Sequence, residues 1–131
     1  MKNITIMGGG VLGSQIAFQS AYCGFNVTIW LRSKSSIERT KPKLENLRKS
    51  YIEAIELMDK PEGKNLNNWC RGIALKEEFN KEECLKKVEE AFQNIKLELD
   101  MKKAVEDADL VIESMSEDFN AKKELYQKLN Y

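Results

Sequence analysis

The stretch Ile4-Thr5-Ile6-Met7-Gly8-Gly9-Gly10-Val11-Leu12-Gly13-Ser14-Gln15-Ile16-Ala17, "ITIMGGGVLGSQIA" at residues 4–17, decides the fold. An apolar run enters three consecutive glycines, and a fourth follows three residues later. Residues 2–7 read as a buried strand that ends at the glycines. Residues 13 to about 23 read as a helix, with Ile16, Ala17 and Ser20 on one face and Gly24 as its stop. The next apolar segment, "NVTIWL" at 26–31, is β-branched and aromatic and reads as a second strand. Strand, helix and strand within about 30 residues make a βαβ unit, whose product is a parallel sheet.

Gly8, Gly10 and Gly13 stand in G-x-G-x-x-G spacing. In a dinucleotide site each has a physical task. The first allows a tight turn out of the strand. The second lets backbone amides approach a pyrophosphate with no Cβ in the way, and the third lets the helix sit close on the strand. The pyrophosphate then meets the free N–H groups of the helix start. A bare match is a weak signal, but here the strand before, the helix after and the second strand beyond supply the context the motif requires. Gly8, Gly9, Gly10, Val11, Leu12 and Gly13 are therefore the candidate phosphate loop.

An NAD-binding unit places Asp or Glu at the end of the second strand, to accept hydrogen bonds from the ribose hydroxyls. That position here is Leu31, followed by Arg32-Ser33-Lys34-Ser35-Ser36, and no carboxylate follows until Glu38. Leucine cannot accept those hydrogen bonds. Arg32 with Ser33, and Ser35 or Ser36, could instead hold a 2′-phosphate through charge-assisted hydrogen bonds. The chemistry alone thus favours NADP over NAD. The plainer alternative is a solvated basic loop.

Working outward, the 131-residue chain is the size of one domain and long enough for a core without metal or disulfide staples. Lys plus Arg equals Asp plus Glu at 21 each, so no charge excess points to nucleic acid or an acidic membrane. The apolar runs are too short to span a bilayer, and "MKNITIM" lacks a signal-peptide pattern. Cys23, Cys70 and Cys84 have no C-x-x-C spacing and read as reduced thiols of a cytoplasmic protein, with no metal site expected. The chain contains no histidine, so it cannot by itself supply a histidine base or metal ligand.

From Ser35 to about Asp59 the apolar positions Ile37, Leu44, Leu47, Tyr51, Ile55 and Met58 describe one helical stripe, with Pro42 in its first turns or marking a break. Residues 60–75 hold the other proline and two glycines and read as a loop. Asn80 with Glu83 resembles a capping box, and Cys84, Leu85, Val88 and Phe92 carry a second helix to about Asn94. A helical hairpin at about 35–94 thus interrupts the α/β alternation. "IKLELD" at 95–100 reads as a short edge strand and "MKKAVEDA" as a short helix with Asp100 as its N-cap. "DLVIES" at 109–114 reads as a buried strand, and a last helix is expected from about Asn120 to Asn130. The expectation is an α/β, Rossmann-type, doubly wound parallel sheet with an inserted helical hairpin. Its sheet is incomplete at the C-terminus.

Through "ITIMGGGVLGSQIA" and "DADLVIESMSEDFNAKKELYQKL" together, the chain resembles the nucleotide-binding N-terminal domain of the 3-hydroxyacyl-CoA dehydrogenase family over essentially its whole length. The glycine loop is shared with many dehydrogenases. The "A-D-L-V-I-E-S-x-S-E-D" segment before a lysine-bearing helix is more specific. The resemblance implies an NAD-linked oxidation of the 3-hydroxyl of an acyl-CoA, a place in fatty acid metabolism and a two-domain parent that dimerises through its C-terminal domain. It implies cofactor contacts from Glu117 and Lys122, which would otherwise read as surface charge. Glu113 reads as a structural carboxylate at the mouth of the sheet.

Three departures accompany the resemblance. Leu31 stands where the family usually has aspartate. The hairpin is rich in Lys and Arg ("KPKLENLRKS"), but no individual CoA contact transfers to it. The family's catalytic histidine and dimerisation domain lie beyond Tyr131. The chain is therefore expected to be the 1–131 cofactor-binding portion of an oxidoreductase, inert toward substrate by itself. Two other readings fit the residues: a Rossmann reductase for another hydroxy substrate, and a non-catalytic NAD(P)-sensing module.

Overall fold

The computed structural model describes residues 2–60, 70 and 72–114. Strand β1 (Asn3–Met7) leads through the glycines into helix α1 (Val11–Tyr22) and strand β2 (Asn26–Trp30). Helices α2 (Lys34–Met58) and α3 (Lys81–Asn94) follow, with a short 3-10 turn at Lys76–Glu78 between them. Strand β3 (Ile95–Glu98), helix α4 (Met101–Val105) and strand β4 (Leu110–Glu113) complete the described elements. The sheet is wholly parallel in the order β3-β2-β1-β4, so the chain winds outward from β1 in both directions. Strand β3 is an edge, as its short alternating sequence predicts.

The core lies where α1, α2 and α3 cover one face of the sheet. Ile6, Ile29, Val27 and Phe18 meet Ile55 of α2 and Val88 of α3, all at 1% exposure or less. Burying side chains of this size contributes roughly 1.5–3 kcal/mol each. The helical hairpin is therefore not an appendage. Its seam is continuous with the main core, and the pair of helices is the crossover between the parallel strands β2 and β3. Arg48 closes its outer side, with Nη2 2.8 Å from Glu89 and Nη1 3.1 Å from Glu45. Asn80 caps α3 by accepting from the Glu83 amide, and Asp100 caps α4 by accepting from Lys103.

Four local expectations change. The buried face of α1 is Gly13, Ser14, Ala17, Phe18, Ala21 and Tyr22, while Ile16 and Ser20 sit at its margin. That face repeats at steps of three and four; Gly13, Ala17 and Ala21 bring the helix close to the strands, while Phe18 and Tyr22 fill the core beside them. Pro42 does not break α2, which runs continuously for 25 residues. Pro42 is exposed, so water can satisfy the carbonyl that its missing N–H leaves unpaired. Strand β4 is an edge of the described sheet, and Leu110 and Val111 are 40% and 38% exposed rather than buried. The 3-10 turn at Lys76–Glu78, for which nothing was expected, follows directly on the segment read as loop. Residues 61–69 of that loop and the helix expected near 120–130 fall outside the described residues. Among the described residues, no helix is long and apolar enough to cross a membrane.

Candidate functional site

Three strands deliver their carboxyl ends to one place. Met7 stands in register with Trp30 on one side and Glu113 on the other. The glycine loop is then tied to both neighbours: Gly8 N donates to Trp30 O at 3.0 Å, and Ser114 N donates to Met7 O at 3.0 Å. In open α/β sheets this carboxyl edge, where strand order reverses about β1, is where ligands bind. A larger groove of about 840 Å³ lies elsewhere, lined by residues such as Asn3 and Asn26 at the opposite strand ends.

The glycines divide their work unequally. Gly8 has φ of 116°, a left-handed conformation that makes the turn out of β1. A Cβ on Gly13 would overlap the Gly8 carbonyl and lie 2.5 Å from Ser114 Oγ, so α1 can approach the strands only through glycine. A Cβ on Gly9 would overlap Thr40 Oγ1 of α2 and come within 2.6 Å of Leu31 Cδ2. Gly10 differs from all of these. Its φ of −69° suits any residue, and a Cβ there would meet nothing within 4 Å. The fold does not require Gly10 to be glycine.

Gly10 is also the N-cap of α1, and no side chain caps the helix. The first-turn amides of an α-helix have no partner within it. Among the described residues, no group takes the amides of Gly10, Val11 and Leu12. Val11 and Leu12 are 67% and 63% exposed, so these donors lie at the surface beside apolar side chains.

Facing this edge is a cleft of about 250 Å³, lined by Gly8, Gly9, Gly10, Leu31, Arg32, Ser36, Arg39, Thr40, Lys43 and Ser114. Three of these residues are cationic and none is acidic. Leu31 is 2% exposed and packs under Gly9, just past the end of β2. Arg32 is exposed at the rim. Ser33 is not among the lining residues: its hydroxyl caps α2, accepting from the Ser36 amide at 3.3 Å, and Ser36 takes the lining position. Glu113 ends β4 opposite Met7. Glu117 and Lys122 lie outside the described residues.

The sequence reading missed Arg39, Thr40, Lys43 and Ser114. A signal for Thr40 existed. The apolar stripe of α2 takes a step of seven from Ile37 to Leu44, and Thr40 divides that step into helical steps of three and four. Its 1% exposure shows that it belongs to the buried face. Arg39 and Lys43 flank it, four residues apart and hence on one side of α2. Ser114 Oγ is buried with no hydrogen-bond partner among the described residues.

These features fit a dinucleotide. Uncapped amides, a bare Gly10 and a cationic cleft with no acidic residue among its described lining suit a pyrophosphate and its ribose, and the Ser114 hydroxyl, without a partner among the described residues, is a spare donor or acceptor beside them. The family model described as "3-hydroxyacyl-CoA dehydrogenase, NAD binding domain" matches residues 3–131. The chain belongs to this family. The "probable 3-hydroxyacyl-CoA dehydrogenase" of Caenorhabditis elegans is 27% identical over 129 residues, which are 98% of this chain and 35% of that protein. The mitochondrial hydroxyacyl-coenzyme A dehydrogenase of Rattus norvegicus is 25% identical over 99% of this chain and 35% of its own length. The chain thus spans about a third of these curated relatives.

Among solved structures, a diketoreductase described for dual catalysis of dicarbonyl compounds superposes with a TM-score of 0.71 at 32% identity. It covers 98% of this chain and 37% of its own. The 3-hydroxybutyryl-CoA dehydrogenase of Escherichia coli K12 gives a TM-score of 0.66 at 22% identity, over 98% of this chain and 21% of its own, and so supports the 3-hydroxyacyl-CoA dehydrogenase fold alone.

Within the described part of this family domain, the core tyrosines offer no general base in place of histidine. Burial pushes Tyr51 up to about 12 and raises Tyr22 as well, so both stay protonated at neutral pH.

Proposed function

We propose that this chain is the cofactor-binding domain, residues 1–131, of an oxidoreductase that moves a hydride between NAD(P) and a 3-hydroxyacyl-CoA. We also propose that its glycine-loop cleft favours NADP(H). The single observation that carries the binding claim is Gly10. A glycine that neither dihedral angle nor packing demands, at an uncapped helix start, is explained by a ligand whose backbone-bound phosphate needs the space. In this reading the amides of Gly10, Val11 and Leu12 hold the pyrophosphate, and Arg32 with Ser36 faces the 2′ position. A bound nicotinamide dinucleotide supplies the hydride chemistry. The described residues bind and orient it, and the chain brings no histidine to handle the substrate proton. Turnover, the acyl-CoA site and dimerisation are assigned to the remainder of the parent, so this chain alone is inert.

Gly10→Val tests the site. It should lower dinucleotide affinity at least tenfold, since a branched side chain would occupy the phosphate position, and leave far-UV circular dichroism unchanged. Unaltered affinity would remove the loop from the site.

A second reading is favoured by the 32% identity to the diketoreductase together with the missing acid at Leu31. The parent would then reduce a small carbonyl substrate rather than an acyl-CoA. Comparing the two substrate classes on the full-length parent separates them.

A further inference from the structure

We infer that Arg39 and Lys43 of α2 join Arg32 to form a cationic wall that binds the ribose 2′-phosphate of the dinucleotide. This makes the first helix of the hairpin a determinant of cofactor choice. The inference rests on the dinucleotide reading above and deepens it.

The wall is built from independent observations. Arg32, Arg39 and Lys43 all line the cleft at Gly8–Gly10, and among the described residues no carboxylate lines it with them. Among the described residues none of the three makes an ion pair. Arg48, further along the same helix, shows the contrast: two glutamates neutralise it. Arg39 and Lys43 lie one turn apart, where like charges repel. The first turn of α2 carries no acidic residue either, so the helix dipole adds to the positive field. Such an arrangement is unfavourable in the empty cleft and favourable once a dianion enters.

The positions of the side chains fit that role. Lys43 Nζ donates to the Gly9 carbonyl at 3.3 Å, which places its ammonium against the phosphate loop. Arg39 Nη2 donates to Ser36 Oγ at 3.0 Å, which holds its guanidinium over a hydroxyl that also lines the cleft. A guanidinium presents paired donors to phosphate oxygens, whereas an ammonium acts as a compact charge. The missing acid at Leu31 removes the group that would repel the phosphate. Four positions therefore agree on one ligand, a phosphomonoester at the ribose 2′ oxygen.

The test is calorimetric titration of NADPH, NADH and adenosine 2′,5′-bisphosphate into the unmodified protein, Arg32→Ala and the Arg39→Ala/Lys43→Ala double variant. Arg39→Ala alone, at an exposed position, guards against a folding effect of losing Lys43. The double variant should bind NADPH and the bisphosphate at least about tenfold more weakly, with a smaller salt dependence, and lose at most a few-fold for NADH, the loosening that follows from deleting the Lys43 hydrogen bond to Gly9. Arg39→Ala alone should show part of the same selective loss. Equal losses for NADPH and NADH would overturn the inference, because the cations would then act on the loop or the pyrophosphate. An unchanged NADPH affinity in the double variant, with a loss in Arg32→Ala, would overturn it while leaving the dinucleotide reading intact. Binding of neither dinucleotide to the unmodified protein would overturn both.

Discussion

Thr40 Oγ1 donates to the Gly9 carbonyl at 3.3 Å, and that same hydroxyl is one of the atoms a side chain on Gly9 would strike. One residue of the helical hairpin thus both fixes the glycine loop and requires it to be bare. Ser14 Oγ and Lys43 Nζ share the same carbonyl at 3.1 and 3.3 Å, so α1, the loop and α2 meet at a single oxygen. The hairpin is coupled to the carboxyl edge of the sheet through this point.

Thr40→Val keeps the shape of the side chain and deletes the donor. It should lower stability by about 1 kcal/mol, the net worth of a typical buried hydrogen bond, and weaken dinucleotide binding a few-fold by loosening the loop. Urea unfolding reads the first effect. An unchanged midpoint would show that Ser14 and Lys43 hold the carbonyl without Thr40.

Gly13→Ala should behave oppositely to a substitution at Gly10. The added methyl meets the Gly8 carbonyl, which is backbone and cannot rotate away. Helix propensity returns up to about 1 kcal/mol for replacing glycine, but overpacking costs about 1–3 kcal/mol and prevails. Thermal unfolding should show a clear fall for Gly13→Ala and only the smaller cost of a poorer N-cap for Gly10→Ala. Equal melting temperatures would contradict the close approach of α1 to the strands.

Asp109 ties the start of β4 to the start of β1, its Oδ2 accepting from the Lys2 and Asn3 amides at 2.8 and 2.9 Å. Those backbone hydrogen bonds hold its carboxyl below the usual carboxylate range. A depressed folded-state pKa contributes stability that is present above the unfolded value, about 3.9, and lost as pH falls through the folded value. Asp109→Asn should lower the melting temperature at neutral pH and flatten its decline below about pH 4. A variant with the same acid limb as the unmodified protein would show that Asp109 contributes nothing there.

Much of the fold was legible because its signals are local. The apolar entry to Gly8, the β-branched run at 26–30 and the caps at Asn80 and Asp100 each depend on residues a few positions apart. The strand β4 was harder to read, because "LVIE" is apolar whether or not a neighbour covers it, and exposure of Leu110 and Val111 is a property of sheet order. The candidate site divides along the same line. Gly8 and Gly13 announce themselves through spacing. Arg39, Thr40, Lys43 and Ser114 reach the glycine loop only because α2 folds back across it and β4 pairs with β1; Thr40 is marked by its place in the apolar stripe, but Arg39, Lys43 and Ser114 look like ordinary surface in the sequence. Gly9 gave no signal of its own, since its reason is a threonine 31 residues away.

In the proposed function the cleft binds a dinucleotide and prefers the one with a 2′-phosphate. Titrating NADPH and NADH into the unmodified protein at a single low ionic strength tests it most directly. One to three charge-assisted hydrogen bonds to the phosphate correspond to a preference for NADPH of roughly 5- to 150-fold, shrinking as salt is added. NADH bound as tightly as NADPH, at every salt concentration, would contradict the account.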